Sequence, residues 1–251
     1  MDNIELLTAA RWVREATSII ITAGAGMGVD SGLPDFRGPD GFWRVYPALK
    51  HDRIGFYDIA TPEAFRSRPE QAWGFYGQRL KLYRRAVPHA GFGILRDLAT
   101  SMRDGYRVFT SNVDGHFQRA GFEAGCVHEC HGSIHMLQCL DGCNGKVWPA
   151  EAFWPVVSNE RCLLRNAPPR CPACGALARP HILMFDDDTW VYGPTIEDRD
   201  RLDAWCKVRE GILVIEIGAG EAIPTVRRFG ERVAHRMIRI NPQDEPASDA
   251  R

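Results

Sequence analysis

The stretch SIIITAGAGMGVDSGLPDFRG, residues 18–38, decides the fold. Its opening run, Ile19-Ile20-Ile21, is apolar without alternation, as a strand is when both of its faces are covered. Glycines follow at once, at Gly24 and Gly26. A glycine turn after a buried strand lets the backbone come close to a phosphate. The generic dinucleotide-binding fingerprint is incomplete. Val29 stands at its third position, and no acidic residue closes a second strand at the expected distance. On the glycines alone, a tight structural turn is an equal reading. The remainder, Asp30-Ser31-Gly32-Leu33-Pro34-Asp35-Phe36-Arg37-Gly38, favours a nucleotide. A loop that only turned has no need of Asp35, Phe36 and Arg37 together. Backbone N–H groups can cradle a pyrophosphate, Arg37 can pair with it, and Phe36 can cover an apolar ring face.

Outward from this loop, YRVFTSNVD (106–114), ILVIEIGAG (212–220) and RMIRIN (236–241) read as further strands. Residues 4–16, 62–85 and 89–100 read as helices, the second opened by the cap, proline and acid of Thr61-Pro62-Glu63. Strands separated by helices, with polar or glycine-rich carboxyl ends, predict an α/β fold built on a doubly wound, Rossmann-like parallel sheet. Ligands bind at those ends, where Gly24-Ala25-Gly26, Ser111-Asn112-Val113-Asp114 and Gly218-Ala219-Gly220 converge. The chain of 251 residues has a net charge of -1, with acids and bases interleaved, which argues against nucleic acid or an anionic membrane as partner. No segment is apolar enough to span a bilayer, and the N-terminal MDNIELLTAARWVREA has acids where a signal peptide has bases. A cytoplasmic protein is expected, of an oligomeric state that the sequence leaves open.

The cysteines are spaced for a metal rather than for disulfides. Cys139 and Cys143 form one short knuckle, and Cys171 and Cys174 form another. Four thiolates suit tetrahedral zinc and leave no open position, so one structural ion is expected, contributing roughly 10 kcal/mol to folding of its module. Cys162 lies between the pairs as a competing candidate, while Cys126, Cys130 and Cys206 read as core residues.

GAGMGVDSGLPDFRG (24–38) resembles the signature loop of the sirtuins, NAD-dependent protein deacylases. TSNVDGHFQRAG (110–121) resembles their second motif, and CHG (130–132) the site of their catalytic histidine. The resemblance runs in order from about residue 18 to residue 242. It implies NAD as co-substrate, zinc in a ribbon, and an acyl-lysine protein or peptide as partner. It also implies a division into an NAD-binding domain (1–41, 101–131 and 181–242), a helical module (42–100) and a zinc module (132–180), while the polar composition of the tail (243–251) reads as disordered.

By the same resemblance, Asn112 holds the nicotinamide ribose, Asp114 holds the carboxamide and His131 is the general base, a task suited to a group titrating near neutrality. The cofactor is further enclosed by Gly24, Ala25, Gly26, Asp35, Phe36, Arg37, Ser111, Gly218, Ala219 and Gly220, with Asn241 at the adenosine. His128 and His135 read as structural. Tyr76 and Arg79, one helical turn apart, resemble the Tyr-x-x-Arg of sirtuins that prefer succinyl or malonyl groups, against the plainer reading of a solvated basic helix face.

RPHILMFDDDTW (179–190) follows the family's substrate loop through Phe185 and then departs, with Asp186-Asp187-Asp188 in place of Gly-Glu. These acids attract a basic peptide or form a solvated turn. Further departures are Ser111 for Gln, His116-Phe117 for Leu-His, and Gly218-Ala219-Gly220 for Gly-Thr-Ser. ADP-ribosyl transfer or NAD hydrolysis is the alternative activity, and an NAD-sensing module is the alternative of another class.

Overall fold

Strands buried on both faces need helices on both sides, and the computed structural model has that layering. It describes residues 3–35 and 38–242, without the side chains of 38–40. Phe36, Arg37 and the tail 243–251 lie outside the described residues. In chain order the elements are α1 (Asn3–Glu15), β1 (Ile19–Ala23), a 3-10 turn (Ala25–Ser31), α2 (Gly38–Val45), α3 (Pro47–His51), α4 (Phe56–Ile59), α5 (Pro62–Ser67), α6 (Pro69–Arg85), α7 (Ala90–Thr100), β2 (Tyr106–Thr110) and α8 (His116–Arg119). A second 3-10 turn (Ala124–Cys126) leads into β3 (Val127–Glu129), β4 (Gly132–Cys139), β5 (Val147–Pro149), β6 (Val157–Ser158), β7 (Leu163–Leu164), β8 (Ala178–Ile182), α9 (Gly193–Lys207), β9 (Leu213–Ile217), α10 (Thr225–Val233) and β10 (Arg236–Ile240).

The main sheet has the order β10-β9-β1-β2-β3, and every pair in it is parallel. Every residue of β1 is buried. Ile19 and Ile21 face Phe92 and Leu95 of α7, while Ile20 shares the opposite cluster with Leu202 and Trp205 of α9 and Phe229 of α10. Ala23 lies level with Thr110 on one side and Ile217 on the other, so β1, β2 and β9 end together. The chain moves from β1 toward β2 and β3 in one direction, and from β9 to β10 in the other. The boundary between β1 and β9 is therefore a topological switch point.

Beside this layer lies a second, antiparallel sheet, β5-β4-β8, with the small pair β6-β7. One hydrophobic cluster joins its residues Ile134, Leu137 and Ile182 to Trp73, Phe75 and Tyr76 of α6. Trp73 is fully buried and donates its indole N–H to Ala178 O at 3.0 Å. Where α6 meets β7, a Cβ on Gly74 would stand 2.0 Å from Cys162 O, so only glycine permits the approach.

The helix expected over 62–85 is two helices. α5 ends before Arg68, and Pro69, which has no N–H to donate, starts α6. The expected cap is present, with Thr61 Oγ1 accepting from Ala64 N at 3.1 Å. The signature loop, 24–38, contains a 3-10 turn and ends where α2 begins.

Candidate active site and metal centre

The glycine turns meet one another first. Gly24 N donates to Ile217 O at 3.1 Å, and Gly26 N donates to Gly218 O at 3.0 Å. A Cβ on Gly26 would lie 2.7 Å from Gly218 Cα, and one on Gly218 would lie 2.4 Å from Met27 N. Gly218 also has φ +61°. These glycines therefore bring two backbone turns into contact across the switch point. On their outer side, the N–H groups of Ala25 and Gly220 have no acceptor among the described residues, as an anion site requires.

Asn112 and Asp114 leave the end of β2. Asn112 donates Nδ2 to Gly24 O at 2.9 Å, tying its loop to the first turn, and its Oδ1 has no donor among the described residues. Its N–H donates to Thr110 Oγ1 at 3.0 Å, and Ser111 N donates to Ala23 O at 3.2 Å. Asp114 is buried, and its Oδ1 accepts from His116 N at 2.8 Å. Burial raises its pKa above the usual carboxylate value. His135 joins Asp114 through a 2.9 Å bond between its Nε2 and the Asp114 carbonyl.

His131 follows the end of β3, which lies level with the end of β2. Its carbonyl accepts from Leu183 N at 2.9 Å, linking it to the predicted substrate loop. Burial lowers the pKa of its imidazole below the usual histidine value, which favours the neutral ring at physiological pH.

In the loop after β8, Phe185 N donates to Ala60 O at 3.0 Å, and its ring lies 4.5 Å from that of Tyr57. Asp186 takes φ +50°, the left-handed conformation to which a glycine is suited. The three acids do not act alike: Asp186 and Asp188 are exposed, as in a solvated turn, whereas the Asp187 side chain is buried. Asp187 is sequestered, its two oxygens accepting from Arg179 Nη2 at 2.6 and 2.8 Å, with both side chains fully buried. It also accepts from Met184 N at 3.2 Å.

Tyr76 and Arg79 face inward, which overturns the solvated-face reading. Tyr76 is buried and stacks on Phe65 at 5.5 Å. Arg79 donates from Nε and Nη2 to Tyr83 Oη at 3.1 and 2.8 Å, with its guanidinium against the rings of Phe75, Tyr76 and Tyr83. Val113, next to Asp114, shares one buried cluster with Tyr76 and Tyr83. At the other end of the site, Asn241 donates Nδ2 to Ala219 O at 3.1 Å.

The four cysteines meet. Cys139 and Cys174 sulfurs are 3.7 Å apart, as are those of Cys143 and Cys171, and all four lie within 4.8 Å of one another. Tetrahedral zinc with Zn–S bonds of about 2.3 Å has S–S edges of about 3.8 Å, so the cluster fits a closed structural zinc site. Cys162 is buried in the cluster shared with α6 and takes no part.

Sequence reasoning singled out neither Tyr83 nor Arg227, and it read His135 as structural, in keeping with its bond to the Asp114 carbonyl. Arg227 is buried and donates to Ala219 O from α10. None of the three carries a motif, because their partners lie on other elements or one helical turn away. No described helix is long and apolar enough to cross a membrane.

A model of the Sir2 family matches residues 24–212. The NAD-dependent protein deacylase of Aquifex aeolicus (strain VF5) is 30% identical over 236 residues, covering 92% of this chain and 86% of that protein. The mitochondrial NAD-dependent protein deacylase sirtuin-5 of Danio rerio is 29% identical over 241 residues, covering 90% of this chain and 73% of that one. The crystal structure of a Sir2 homolog–NAD complex has a TM-score of 0.73 at 25% identity, covering 96% of this chain and 84% of that chain.

Proposed function

The chain belongs to the Sir2 family and is an NAD-dependent protein deacylase with a structural zinc; on that premise we propose that it prefers acidic acyl groups, succinyl or malonyl, on lysine. The observation that carries this reading is the partly buried guanidinium of Arg79, oriented by Tyr83 inside an aromatic cage. A carboxylate at the tip of the acyl chain is the partner that such a group recognises. The likeness to sirtuin-5 supports it.

On this reading the roles of the residues are these. Asn112, anchored on Gly24, presents Oδ1 to the cofactor's ribose. Asp114, its pKa raised by burial, meets the carboxamide of nicotinamide. NAD supplies the ribose carbon that the acyl oxygen attacks as nicotinamide leaves. His131, neutral and at the end of β3, accepts the ribose hydroxyl proton.

The test compares wild type with Arg79→Met on succinyl-lysine and acetyl-lysine peptides with NAD, following nicotinamide and O-acyl-ADP-ribose by mass spectrometry. Losing charge-assisted hydrogen bonds should depress desuccinylation roughly 10- to 100-fold and leave deacetylation nearly unchanged. Equal depression of both removes the acyl preference.

A further inference from the structure

The turn Gly218-Ala219-Gly220 carries no side-chain hydroxyl or amide, so its grip on a nucleotide depends on where its backbone points. Two side chains from elsewhere set that direction. Arg227, in the first turn of α10 and 9% exposed, donates to Ala219 O from Nε at 3.2 Å and from Nη2 at 3.0 Å. Asn241, just beyond β10, donates to the same oxygen at 3.1 Å. One carbonyl thus receives three N–H donors from the elements that flank β9. Gly218 is held as well, its N–H by Ile240 O at 3.1 Å and its carbonyl by Gly26 N at 3.0 Å.

A trans peptide is planar, with C=O and N–H pointing opposite ways. Drawing the Ala219 carbonyl onto Arg227 therefore turns the Gly220 N–H outward, where no described residue accepts it. Gly220 has open space around its Cα, with no atom within 4 Å of a Cβ placed there. Glu221, 82% exposed, forms an ion pair with Arg227 at 3.8 Å on the solvent side.

We infer that Arg227 is a positioning residue for NAD. It fixes the Ala219–Gly220 peptide so that the Gly220 N–H faces the cofactor at the switch point, supplying through the main chain a contact that this turn has no hydroxyl to make. The inference rests on the NAD-dependent reading of the site.

The experiment uses the zinc-loaded full chain as wild type, Arg227→Met and Arg227→Lys. ADP-ribose is titrated calorimetrically, and steady-state kinetics are measured with NAD and an acyl-lysine peptide. In Arg227→Met, the Kd for ADP-ribose and the KM for NAD should rise about tenfold, the loss of one charged hydrogen bond, while kcat and the peptide KM stay within about twofold. Arg227→Lys, which keeps the charge and a donor, should fall between. A folded Arg227→Met that binds ADP-ribose like wild type overturns the inference, and so does an equal shift in kcat and peptide KM. If Arg227→Met does not fold, Arg227→Lys and Arg227→Gln decide by the same two constants. Failure of wild type to bind ADP-ribose would instead remove the NAD-dependent reading itself.

Discussion

His116 is a fully buried imidazole with no hydrogen-bond partner for either ring nitrogen among the described residues. Its ring meets Phe92 edge-on at 5.6 Å. Desolvation, helped by the nearby Arg119 charge, pushes its pKa from 6.5 down to about 4. The folded chain thus holds the neutral form more tightly than the unfolded chain does. Stability from this neutral form is present above pH 6.5 and is lost as the pH falls toward 4, worth on the order of 3 kcal/mol across that window. His116→Phe removes two unsatisfied polar atoms and keeps a flat ring among aromatic neighbours. It should raise stability in urea by about 1–3 kcal/mol at pH 7.5 and by more at pH 5. A variant less stable than wild type at both values would refute this account. The site was legible where identity and spacing suffice, as at the cysteine pairs, which the structure brings together. It was not legible where a partner lies across the fold, as for Asp187 with Arg179, or Asn241 with Ala219.

At the scale of elements, the ion pair of Arg179 and Asp187 joins the edge of the antiparallel sheet to the substrate loop. Arg179 sits within β8, donates to Ile182 O at 3.0 Å and reaches Asp187 past the end of its own strand. Neither side chain is exposed, so removing one charge strands the other. Asp187→Asn should cost about 3–5 kcal/mol in urea unfolding, and a loss below about 1 kcal/mol would show that solvent reaches the pair. The buried polar residues explain why these strands escaped the sequence reading. Gln138, Arg179 and His181 are buried in β4 and β8, so neither strand alternates cleanly. β3 is only three residues long, and α9, GPTIEDRDRLDAWCK, buries Leu202 and Trp205 in an otherwise polar segment. β1, β2 and β9 were legible because parallel strands under two helical layers must be apolar throughout.

Across the whole molecule, the antiparallel sheet spans the distance between the cysteine cluster and His131. At one end Cys139 pairs with Ala178, and at the other Gly132, next to His131, pairs with Ile182, next to Leu183. The same sheet shares its hydrophobic cluster with α6, which carries Tyr76 and Arg79, whereas the parallel sheet has its own two clusters. Zinc contributes roughly 10 kcal/mol to the sheet that holds it. Its removal should therefore loosen β4, β8 and α6 while sparing β1, β2 and β9, whose packing does not pass through the metal. Hydrogen exchange read by mass spectrometry, before and after treatment with a strong chelator, should show lost protection over 132–139, 178–182 and 69–85, with 19–23, 106–110 and 213–217 still slow. Deacylation should vanish with the metal, because His131 and the substrate loop depend on the loosened sheet, yet ADP-ribose should still bind at the intact strand ends. Uniform loss of protection would mean that the two layers unfold as one unit, and undiminished turnover without zinc would mean that the sheet holds its shape unaided.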